Sequence, residues 1–75
     1  MKLRQFPKTY NIELVRIFYQ GRLKAECWVD GEFTIDKLAN NEKATPYLDR
    51  EVEEMYLYDN EYRTYRILEI FIKKP

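Results

Sequence analysis

The chain has 75 residues, 45% hydrophobic and 16% aromatic, with 13 basic and 13 acidic side chains that sum to zero net charge. That length fits one domain over residues 1–75 with one modest core, and the apolar content is too high for a disordered chain. No run approaches the ~20 apolar residues of a membrane span, and MKLRQFPKTY holds no apolar signal-peptide stretch, so a cytoplasmic chain with no membrane partner is expected.

Residues 1–9 (MKLRQFPKT) carry three basic side chains and Pro7, and read as an N-terminal arm that Phe6 pins to the core. Residues 10–19 (YNIELVRIFY) are β-branched and aromatic without Gly or Pro, which is a strand composition. Gln20-Gly21 supplies a two-residue turn. Residues 22–29 (RLKAECWV) alternate, with Leu23, Ala25, Cys27 and Val29 on one side. An unbroken hairpin about that turn pairs Phe18 with Leu23, Arg16 with Ala25, Leu14 with Cys27 and Ile12 with Val29. These form the expected core face, joined by Leu68 and Ile70. Val15, Ile17, Trp28, Ile67 and Phe71 then fall on the second face.

Asp30-Gly31 reads as a second turn, with Phe33 a brief continuation. Thr34 suits a helix N-cap, Asp36 suits the first turn, and Asn40-Asn41 suits the end. Ile35, Leu38 and Ala39 share one face of this short helix. From Thr45-Pro46 a helical turn or two is expected, then a strand from about Glu54 to Tyr58 with Met55 and Leu57 inward. Asp59-Asn60-Glu61 reads as a hairpin loop into a last strand over residues 62–73 (YRTYRILEIFIK).

The strands at 12–18 and 67–72 are apolar on both faces, which places them in the middle of a sheet. The class is therefore α+β: a small single-layer sheet of about four strands with a short helical region, ββαββ, in order 2-1-4-3. In topology alone, this resembles the ubiquitin-like β-grasp. The alternative is an all-β SH3-like small barrel.

The chain has no His and no Ser, so Ser-His-Asp triads and His metal ligands are excluded. Cys27 is the only cysteine and reads as a small buried hydrophobe; it excludes an internal disulfide or a thiolate cage. Gly21 and Gly31 stand too far apart to cradle a phosphate. Asp49, Glu51, Glu53 and Glu54 form the densest carboxylate group, and they read as a solvated face. No catalytic residue, cofactor or metal is assigned.

Charge is segregated along the chain: net +5 over residues 1–25, −8 over 26–61 and +3 over 62–75. Cross-strand neutralisation is the plain reading and a bipolar binding surface the sharper one. Tyr47, Tyr56, Tyr58, Tyr62 and Tyr65 interleave with Arg63 and Arg66, the residue types enriched in binding hot spots. The expectation is a non-enzymatic protein-binding module: a small intracellular adaptor, regulator or inhibitor, a class that includes short accessory proteins of phages and mobile elements. Tyr56, Tyr58, Arg63 and Tyr65 are its expected contacts, with Trp28 outlying. The second apolar face also suits a homodimer. The alternative is nucleic-acid binding by Lys2, Arg4, Lys8, Arg16, Arg22 and Lys24 in the basic N-terminal half, which zero net charge disfavours.

Overall fold

Four strands and very little helix make up the computed structural model, which describes residues 1–59 and 65–74. β1 (Thr9–Tyr19) and β2 (Arg22–Phe33) form a hairpin. α1 (Ile35–Ala39) and a 3-10 turn (Thr45–Tyr47) lead to β3 (Val52–Asp59), and β4 (Arg66–Ile72) closes the order. The sheet runs β2-β1-β4-β3, with β1 and β4 parallel at its centre and antiparallel pairs outside. This is the expected 2-1-4-3 order. β2 and β3 remain edges, so the sheet does not close into a barrel.

The β1–β2 turn has Gln20 at φ 52° and Gly21 at φ 74°, both left-handed. A two-residue hairpin loop with positive φ at both positions matches the right-handed strand twist. Phe18 pairs with Leu23, as expected. The register then slips by one, because Ile17 pairs with Ala25 and leaves Lys24 as an extra residue on β2. A one-residue slip exchanges the faces of everything beyond it. The expected pairing of Leu14 with Cys27 is thus replaced by Leu14 with Trp28, and Val15 stands opposite Cys27.

The core face is corrected accordingly. Ile12, Val15, Ile17, Ala25, Val29, Leu68, Ile70 and Ile72 form the buried cluster. Leu14 is buried outside that cluster, Phe18 is half-buried, and Leu23 is exposed. Cys27 packs half-buried against the core rather than inside it.

Asp30-Gly31 is not a chain reversal. Asp30 (φ 56°) and Gly31 (φ 87°) sit in an irregularity inside β2, which continues to Phe33. The Lys37 ammonium from α1 donates to the carbonyls of Val29 (2.6 Å) and Glu32, fastening the bulge to the helix. Thr34 occupies the N-cap position, but its side chain makes no capping bond.

The N-terminal arm lies on the core side. Leu3 and Phe6 are buried in the cluster, and the Phe6 ring centroid stands 5.4 Å from that of Phe33. Leu38, Ala44 and Leu48 complete this covering layer. α1 packs against β2 and the arm, so the layer is centred away from β3. Met55 and Leu57 point to the core side yet stay 46% and 43% exposed for that reason. No helix among the described residues is long and apolar enough to cross a membrane.

Candidate functional site

With one face buried under the arm and the β2–β3 connection, the other face of the sheet stands open. Cross-strand pairing arranges its side chains in three rows. Leu23, Phe18 and Phe71 form the first, continued by Tyr56 against Phe71. The Phe18 and Phe71 rings stack with centroids 4.9 Å apart, and Tyr56 meets Phe71 edge-on at 5.6 Å. Trp28, Leu14, Ile67 and Tyr58 form the third row. Leu14 and Ile67 are its buried floor, and Trp28 and Tyr58 its rims.

Between them runs a polar stripe. Arg16 Nε lies 3.0 Å from Glu26 Oε2, and its Nη1 lies 3.8 Å from Glu69 Oε2. The Tyr58 hydroxyl donates to the same Glu69 oxygen at 2.9 Å. The stripe therefore touches all four strands, from Glu26 on β2 to Tyr58 on β3. Burial and the bond to Glu69 both raise the Tyr58 pKa, so the phenol remains a protonated donor at neutral pH.

The sequence-derived site is brought together in part. Trp28 (60% exposed), Tyr56 (51%) and Tyr58 (39%) all border this face. Tyr65 packs on Trp28 in a T-shaped contact at 5.4 Å, joining the outlying tryptophan to the tyrosines. Arg63, the expected loop over 59–61 and the first residues of the expected last strand fall wholly or partly outside the described residues. Val15 and Ile17, assigned to this face, are instead in the core. Leu14, Arg16 and Phe18 were missing from the site, because an unbroken hairpin turns them inward.

Part of the segregated charge is spent on pairing. Arg4 Nε binds Asp49 at 2.8 Å, Lys8 binds Glu32 at 3.2 Å and Arg66 binds Asp59 at 3.0 Å. Arg4 pulls the Asp49 carboxyl below its ordinary value, and the N-terminal ammonium does the same to Glu51. Among the described residues no group of three or more His, Cys, Asp or Glu converges as a metal site. A shallow groove beside Cys27 is lined by Lys37, Asn41 and Lys43. Burial pushes the Cys27 thiol above its ordinary pKa, which leaves it a poor nucleophile. In comparisons with known proteins, no family model, curated protein or solved structure matches the chain.

Proposed function

We propose that this chain is a non-enzymatic protein-binding module, an intracellular adaptor, regulator or inhibitor, that docks another protein on the open sheet face. One observation carries the reading: one sheet face on which Trp28 and Tyr58 stand exposed at the ends of a buried floor of Leu14 and Ile67, with Tyr56 exposed against Phe71 across the polar stripe. Contiguous aromatic and apolar surface of this kind marks interaction sites on soluble domains. Tyr and Trp give large contact area with few rotatable bonds and a polar tip, which is why they dominate hot spots. The Glu26–Arg16–Glu69 stripe adds oriented polar groups that fix the docking register.

Nucleic acid on the basic N-terminal half has less support. Arg4, Lys8 and Arg16 are each already bound to a carboxylate, and phosphate binding needs unpaired positive charge. Binding of a labelled oligonucleotide over a salt series separates the two readings.

The test is capture from host cells with the wild-type chain and with Trp28→Ala and Tyr58→Ala, followed by affinity measurement on the captured protein. Truncating a true anchor should weaken binding by about 2 kcal/mol or more while the domain stays folded. Lost stability with unchanged affinity would make these aromatics structural and remove the open face as the site. Arg63→Ala belongs in the same series.

A further inference from the structure

The outer edge of β3 carries a second binding feature. Only one irregularity interrupts its pairing with β4, between Val52 and Glu54, whereas β2 has three in its pairing with β1. From Glu53 onward every residue of β3 is exposed. Met55, Tyr56, Leu57 and Tyr58 are 39–51% exposed, so both faces of the edge are apolar. Long edge strands are ordinarily blunted by lysine, proline or bulges, because their free backbone groups accept another strand. β3 holds neither lysine nor proline.

The start of this edge is already occupied, and by a basic segment. Lys2 bridges antiparallel to Glu51, the Val52 amide donates to the Met1 carbonyl at 2.8 Å, and the Leu3 amide donates to Arg50 at 3.0 Å. The N-terminal ammonium lies 2.8 Å from Glu51 Oε2. Past Val52 no described segment pairs with the outer side of β3. Glu53 and Glu54 face no cation among the described residues.

Resting on the reading of the chain as a protein-binding module, we propose that the β3 edge is a strand-addition site. Its occupant is an extended segment of a partner protein, apolar at its centre and flanked by lysine or arginine. Main-chain bonds along the edge supply affinity, and alternate side chains supply specificity. The basic flanks meet Glu53 and Glu54 as the N-terminal ammonium meets Glu51. A second copy meets like charge in the antiparallel registers that pair most of the edge. A two-fold axis that pairs Tyr56 with its mate sets Glu53 opposite Asp59. An axis that pairs Met55 with its mate sets Glu51, already held by the N-terminus, opposite Asp59. Like charges directly opposed destabilise a sheet.

The test uses the full chain and three labelled peptides, read by fluorescence anisotropy. One has a Val-Ile-Val-Ile centre flanked by lysine pairs, the second has glutamate flanks, and the third is the lysine peptide with alternate backbone amides methylated. The lysine peptide should bind at least about tenfold more tightly than either of the others. Glu53→Lys with Glu54→Lys should reverse the preference between the two charged peptides, and Trp28→Ala should leave it unchanged. The methylated peptide leaves the protein untouched, so its result does not depend on how a variant folds. Equal affinity for all three peptides, or no saturable binding, would overturn the proposal. Loss with Trp28→Ala but not with the charge swap would also overturn it, while leaving the open-face reading standing. Loss of partner capture in the open-face variants is a separate readout, so the two proposals fail separately.

Discussion

The bulge at Lys24 decides which of two neighbouring apolar sets is the core, and truncation measures it. Ile17 is fully buried and Leu23 is 49% exposed. In an unbroken hairpin the two would exchange roles, with Leu23 inside. Ile17→Ala removes three carbons, worth about 2.4 kcal/mol at roughly 0.8 kcal/mol per buried methylene. A residual cavity adds roughly 1–2 kcal/mol, which keeps the total within the usual 2–5 kcal/mol for such changes. A domain of this size has on the order of 5 kcal/mol in all. Ile17→Ala should therefore be only marginally folded. Ile17→Val, at about 0.5–1.5 kcal/mol, keeps the series measurable. Leu23→Ala should cost under about 0.5 kcal/mol, as surface changes do. Urea unfolding followed by far-ultraviolet circular dichroism gives all three values. Equal losses for Ile17→Ala and Leu23→Ala, or a loss below about 1 kcal/mol for Ile17→Ala, would refute the assigned faces.

Three further outcomes are expected. Because Arg4 and the N-terminal ammonium depress the Asp49 and Glu51 carboxyls, their contribution is present above the ordinary carboxylate range and lost as pH falls through the depressed folded values. Both sites are exposed, so the effect is small and should vanish in about 1 M salt; a difference between wild type and Asp49→Asn that persists there contradicts the ion-pair account. Alkylation of Cys27 at neutral pH should be slower than that of a free model thiol, since burial raises its pKa; a rate equal to the model thiol would place it in solvent. Two copies are expected to stack open face on open face when no partner is present, and a strict 9.3 kDa mass by light scattering at micromolar concentration would remove that expectation.

The strand order was legible because β1 and β4 carry apolar residues on both sides, which only central strands tolerate. The turn was legible because Gln20-Gly21 offers a residue free to take positive φ. The face assignment was not. β1 carries Leu14 and Phe18 on one side and Val15 and Ile17 on the other, so hydrophobicity alone scores either register about equally. What separates them is the extra residue at Lys24, which has no local signature, and the left-handed residues Asn11 and Asp30, whose residue types permit that conformation without saying that it falls inside a strand. Asp30-Gly31 carries the composition of a turn, yet the same left-handed freedom serves a bulge once Lys37 binds the flanking carbonyls.

The same bulge accounts for what was legible of the site. Burying Ile17 turns Phe18 outward, where it stacks on Phe71 and joins Leu23 in a row that regular alternation would have hidden. Trp28, Tyr56 and Tyr58 stood out because a polar tip on an aromatic ring suits a half-wet surface, whichever register holds. Arg16 gave no such signal, since a lone arginine among apolar residues reads as an exposed exception. Its role comes only from the sheet order, which sets Glu26 on one side and Glu69 on the other. An arginine held between two carboxylates across β2, β1 and β4 divides the apolar face into two strips. A partner must match both strips and leave the stripe hydrogen-bonded, because a buried charge stripped of its partner is strongly destabilising. That requirement selects against casual hydrophobic contact and favours a partner that brings its own polar groups to the centre of the face.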